Sequence, residues 1–113
     1  MPSANVFVSE ELEDRTLARM EEIRAVIATE LSTKRKVLEP DQVSLRVASV
    51  KSQMQLSPVE IEVFGHAFWH RLRRLDARAL RVAAAVSAII DSPVSCWVNL
   101  AIVGYSRAQR LGD

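Results

Sequence analysis

The chain has 113 residues, 49% of them hydrophobic, and its 15 Lys and Arg nearly cancel its 14 Asp and Glu. That length suits one domain with a proper core, and the charge balance gives no electrostatic footprint for nucleic acid or a membrane surface. No apolar run approaches the ~18 residues of a membrane span, the N-terminus lacks the basic-then-apolar pattern of a signal peptide, and the single cysteine, Cys96, excludes an internal disulfide and makes a reduced, cytoplasmic compartment the default.

Pro2 follows Met1 directly and opens the alternation Ala4-Asn5-Val6-Phe7-Val8, which predicts a strand over 3–8 with Phe7 facing away from Val6 and Val8. Removal of Met1 would leave Pro2 as a free secondary amine. An α-amino group titrates near ~7.7–8.0, burial lowers that value, and a general base works best close to the operating pH. A proline at the second position is also common by chance. Ser9 offers an N-cap and Glu10, Glu11, Glu13 and Asp14 load the first turn of a helix carrying Leu17, Met20, Ile23, Ile27 and Leu31 at helical spacing. That helix should stop near Ser32-Thr33, and Pro40-Asp41 marks a turn.

Val43, Leu45, Val47 and Val50 predict a second strand, with Arg46 on the face opposite Leu45. Ser57-Pro58 breaks the run, and Val59, Ile61 and Val63 alternate with Glu60 and Glu62 in a half-buried third strand. Asp76 suits the cap of a second helix through Ala79, Val82, Ala83, Val86, Ile89 and Ile90, which Asp91-Ser92-Pro93 ends. Trp97 to Val103 supplies a last strand. The order is strand, helix, strand, twice. Two βαβ halves, about 3–56 and 59–104, make one α+β domain whose four-stranded mixed sheet carries both helices on one face. The other face also holds apolar residues and needs a partner, which self-association supplies.

Three further groups have a functional and a plain reading. Arg71, Arg74, Arg78 and Arg81 would fall on one helix stripe, either as an anion clamp or as a solvated face neutralised by Glu60 and Glu62. His66 and His70 have the spacing of a metal pair but no third ligand beside them, so no metal is expected. Phe64, Phe68 and Trp69 read most simply as core or subunit interface, or else as the apolar wall of a pocket. Phe68 and Trp69 beside the arginines are too few for a nucleic-acid stacking platform.

Across essentially its whole length the pattern resembles the tautomerase superfamily: 4-oxalocrotonate tautomerase, 5-carboxymethyl-2-hydroxymuconate isomerase and macrophage migration inhibitory factor. The residues that carry the likeness are Pro2, the strand Val43-Ser44-Leu45-Arg46-Val47, and the segment Trp97-Val98-Asn99. The resemblance implies a homotrimer in which Pro2 shuttles protons, with no cofactor. It also implies a small enol or keto carboxylate as substrate, held by Arg46, while Asn99 orients its carbonyl and Trp97 walls the pocket; Arg73 or Arg74, of the arginine cluster, is a second candidate for holding the carboxylate. Lys36 is the nearest counterpart of the inhibitory-factor lysine, and the run Gly65-His66-Ala67-Phe68-Trp69-His70-Arg71 departs from the glycine-rich pattern expected there. Two alternatives stand beside the isomerase: a hydratase or dehalogenase using the same proline, and a non-enzymatic binding protein, which a retained Met1 would favour because an amide nitrogen has no lone pair to accept a proton.

Overall fold

The computed structural model describes residues 2–50, 57–64 and 74–99, of Asn99 the backbone alone. The elements are β1 (Ser3–Val8), a 3-10 turn (Glu10–Leu12), α1 (Glu13–Leu17), α2 (Met20–Leu31), a second 3-10 turn (Pro40–Gln42), β2 (Ser44–Ser49), β3 (Val59–Phe64), α3 (Leu75–Ile90) and β4 (Val94–Asn99). His66, Phe68, Trp69, His70, Arg71, Arg73 and the stretch from Leu100 to Val103 lie outside the described residues.

The four strands form one mixed sheet in the order β2-β1-β3-β4. β1 runs parallel to β2 and antiparallel to β3, and β3 runs parallel to β4. Each parallel pair is joined by a helix-bearing crossover, as parallel strands require. Period-2 alternation settles which side chains face the helices. Ala4, Val6 and Val8 of β1, Leu45 of β2 and Val59, Ile61 and Val63 of β3 all point into one buried cluster. Ile23, Ile27, Ala28 and Leu31 of α2 and Val82, Val86 and Ile90 of α3 close it from the same side. β-Branched residues dominate the strand contribution because they fit a pleated, packed surface. Both helices therefore cover one face.

Expectation and structure part at the helix starts. The first helix is not continuous: α1 ends at Leu17 and α2 begins at Met20, with Arg19 between them at φ −116°, ψ 17°. Thr16, fully buried, donates its Oγ1–H back to the Leu12 carbonyl at 2.8 Å, a side-chain bond that competes with the helical ladder and bends it. The break turns Leu12 and Thr16 inward, so Leu17, expected in the core, is 46% exposed. Ser9 precedes the 3-10 turn in extended conformation, but its side chain makes no cap bond; its own N–H donates to the Pro58 carbonyl. Asp76 is not the cap of α3 either. That position belongs to Arg74, in the left-handed region at φ 59°, and Asp76 sits in the first turn. The stops at Ser32 and Asp91 agree with the sequence reading.

The same helix starts account for two of the four arginines. Arg78 donates to the carbonyls of Glu30 and Ser32, and Arg81 Nε to Glu30 Oε1 at 2.8 Å. The acceptors are the C-terminal end of α2 and its last acidic side chain, not Glu60 and Glu62. Arg74 lies ahead of α3, so no single helix stripe carries it with Arg78 and Arg81.

Candidate functional site

Opposite the helices the sheet presents a polar and aromatic face. Strand register aligns it in rows: Arg46, Asn5, Glu62 and Trp97 form one, and Ala48, Phe7, Glu60 and Ser95 the next. A cleft of about 420 Å³ opens over β3 on this face, lined by Phe7, Glu60, Glu62, Phe64, Trp97 and Val98. Its aromatic members come from three strands, because Phe7, Phe64 and Trp97 occupy positions of the same facing on β1, β3 and β4. Ser57 adjoins the Glu60 row. Its N–H donates to Glu60 Oε2 at 3.3 Å, and its hydroxyl lies 2.8 Å from Ser95 Oγ.

Pro2 is buried ahead of β1. It stands one residue before the Ser3–Phe64 pair, and its carbonyl accepts the Ser44 N–H at 3.1 Å. That bond extends the β1–β2 ladder by one step and fixes the proline against the sheet. Trp97 is 43% exposed and forms one wall of the cleft. Asn99 lies opposite Phe64 in the register, its backbone closing β4. Arg46 is exposed on the open face, with no hydrogen-bond or ion-pair partner among the described residues. β1 separates it from Glu62, roughly two strand spacings or about 10 Å, so the two do not pair within one chain. Arg74 stands at the head of α3 and lines none of the cleft.

Of these residues Trp97 lines the cleft, Pro2 and Asn99 flank Phe64 through the strand register, Arg46 lies across β1 from β3 and Arg74 apart. The sequence reading gave Phe64 as core or interface with a pocket wall as its alternative, and it took the two glutamates only as partners for arginine. The signal for a lining role was present in the alternation of 59–63, which sends Glu60 and Glu62 to the side away from the core. Cys96 faces the helices, and burial pushes its thiol up to about 12 from 9.0. It stays protonated at neutral pH and is no nucleophile. Among the described residues, no three His, Cys, Asp or Glu are grouped so as to hold a metal ion, and no helix is long and apolar enough to cross a membrane.

No family model and no curated protein sequence matches the chain. Solved structures do. The F6 fused 4-OT, an asymmetric trimer, superposes with a TM-score of 0.58 at 13% identity, covering 98% of this chain and 99% of that one. MIF2 of Leishmania major gives 0.59 at 18% identity over 88% of each chain. N1, a member of the cis-3-chloroacrylic acid dehalogenase family, gives 0.57 at 12% identity over 88% of this chain and 75% of its own. With two βαβ units building one mixed sheet and both helices on a single face, the chain has the fold of the tautomerase superfamily.

Proposed function

We propose that this protein is a homotrimeric tautomerase, a cytoplasmic isomerase that moves a proton within a small enol or keto carboxylate. The observation that carries this reading is Pro2: buried, one residue ahead of a central strand and next to the Ser3–Phe64 pair whose Phe64 lines an aromatic cleft, in a chain of this fold. With Met1 removed, the neutral Pro2 nitrogen takes a proton from the carbon α to the carbonyl and returns it at another carbon. Asn99 orients the carbonyl oxygen and Trp97 walls the site. Arg46, brought by a neighbouring subunit, and Arg73 or Arg74 hold the carboxylate and stabilise the enolate as it forms. The trimer rests on two supports: the open, partly aromatic sheet face, and the trimeric F6 fused 4-OT of the same fold. Hydration or dehalogenation would use the same base, as the likeness to N1 suggests.

The test combines intact mass with kinetics. Loss of the Met1 mass together with turnover of a phenylpyruvate-type probe is expected. Pro2→Ala should lower that turnover by about 10²–10⁴-fold, the span of a general base, while leaving the oligomer intact. Wild-type turnover in Pro2→Ala removes the proline from the mechanism.

One observation favours a second reading. Two carboxylates, Glu60 and Glu62, line the cleft, and they repel an acidic substrate unless an arginine outweighs them. In that reading the same assembly is a binding protein without catalytic function. Retention of Met1 on every chain would select it.

A further inference from the structure

The two sides of the open sheet face are opposite in relief and in charge. On β2, an edge strand of the sheet, Arg46 stands between Ser44 and Ala48, all three exposed, so one long cation projects above short neighbours. Over β3 and β4 the surface is hollow, and Glu60, Glu62, Phe64 and Trp97 line the cleft there. Glu62 and Trp97 are register partners on adjacent strands, so carboxylate and indole stand side by side. The half-buried Glu62 carboxylate and the exposed Arg46 guanidinium each lack a hydrogen-bond or ion-pair partner among the described residues. Within one chain β1 holds them about two strand spacings apart, beyond the ~8 Å over which salt leaves exposed charges coupled.

We propose that Arg46 of each copy enters the cleft of the next copy and pairs there with Glu62, its guanidinium lying against Trp97. The pairing rests on the homotrimer of the proposed function and gives that trimer a direction of contact: the β2 edge of one subunit meets β3 and β4 of its neighbour. Projection and hollow are different patches of one surface, so a contact between them is heterologous. Such contacts close into a ring where the rotation permits, and three copies then make three identical pairs with neither charge left over. Arginine suits the place, because its planar fork stacks on an aromatic ring while it bonds a carboxylate. A glutamate covered by the assembly without a cation would be costly. The guanidinium has five donors, so an edge engaged by Glu62 leaves others for a substrate carboxylate, and the acid that would repel that substrate is neutralised.

Sedimentation equilibrium of the full-length protein reads the assembly without reference to Pro2 or turnover, with circular dichroism as the check on folding. Arg46→Glu and Glu62→Arg each set like charges against one another at every interface. Either should raise the concentration at which the trimer half-dissociates by at least about tenfold. The variant carrying both recreates the pair with its signs exchanged and should assemble more tightly than either single variant. Where a reversed chain does not fold, a neutral cycle gives the same comparison. Arg46→Gln and Glu62→Gln should each weaken the trimer by about threefold or more, and the two together by less than the product of the single effects. Single variants that leave the trimer unchanged, or losses that simply multiply in the double variants, overturn the pair and leave the trimer standing. A wild type that stays monomeric overturns pair and trimer together. Turnover of the phenylpyruvate-type probe by a trimer indifferent to these substitutions upholds the proline mechanism and sinks the pair, so the two fail separately.

Discussion

The first half of the chain covers its share of the sheet with a broken helix, and the second half does so with an unbroken one. α1 and α2 are separated at Ala18-Arg19, whereas α3 runs sixteen residues from Leu75 to Ile90. The difference traces to composition. The helix of the second half is largely alanine, valine and isoleucine, and its one hydroxyl, Ser87, donates past the helix end to the Ser92 carbonyl. The first has Thr16 at a buried position, where its hydroxyl must find a partner and takes the Leu12 carbonyl. A buried hydroxyl is therefore satisfied at the cost of helix continuity, and the apolar stripe shifts around the break.

The largest expected effect tests that shift. Ile23 lies beyond the break and is fully buried, while Leu17 lies before it and is 46% exposed. Ile23→Ala should cost about 2–5 kcal/mol through lost burial and the cavity it leaves. Leu17→Ala should stay within about 1 kcal/mol, as changes outside the core usually do. Denaturant unfolding of the two variants checks this. Equal losses would mean that the helix is continuous in solution and Leu17 belongs to its core stripe.

How far the sequence could be read follows the same division. Strands β1 and β3 were legible because a core-facing valine or isoleucine alternates with a residue of opposite facing, and that rule also put Arg46 on the open face. The end of α3 was legible because Asp91-Ser92-Pro93 cannot continue a helix. The break at Arg19 was not, since helical spacing of Leu17, Met20 and Ile23 looks the same whether or not a threonine bonds backward. Nor were the partners of Arg78 and Arg81. They are carbonyls and a carboxylate some fifty positions earlier, and no spacing rule within one helix reaches them. In the site, the place of Pro2 at the head of β1 could be read locally. The cleft could not, because it exists only once β1, β3 and β4 are set side by side.

Those arginine contacts form a reciprocal clasp between the halves. Because β1 and β3 are antiparallel, the helix arm of each half starts near the end of the other's. Arg78, in the first turns of α3, bonds the last carbonyls of the α2 region, and Arg15 of α1 donates to the Ile90 carbonyl at 2.9 Å. A cation at a helix C-terminus is stabilising in both places. Their surroundings differ: Arg78 is half-buried and Arg15 exposed. Arg78→Ala should cost about 1–2 kcal/mol, and Arg15→Ala about 0.3–1 kcal/mol, most of it lost at high salt. Thermal unfolding at low and high ionic strength measures both, and a larger loss for Arg15→Ala would break the ranking by burial.

The smallest effect concerns how the two helices end, and it differs in sign between the halves. α2 stops at Ser32 in extended conformation, φ −78° and ψ 151°. Ser32 Oγ donates to the Ala28 carbonyl at 2.7 Å and accepts the Leu38 N–H at 2.8 Å. α3 stops at Asp91 in the left-handed region, φ 55° and ψ 56°, and the Ser92 N–H reaches back to the Ser87 carbonyl at 3.3 Å. Glycine is the residue that occupies the left-handed region without a Cβ penalty; aspartate tolerates it less well. Asp91→Gly should therefore stabilise the chain, by up to about 1 kcal/mol once the greater entropy of glycine in the unfolded state is set against the relief. Ser32→Gly gains nothing at an angle any residue adopts, loses both side-chain bonds, and frees the unfolded chain further, so it should cost about 1 kcal/mol or more. Chemical denaturation of the pair gives the answer directly: opposite signs are expected, and a loss in Asp91→Gly would mean that the aspartate side chain, rather than its backbone angle, holds the end of α3.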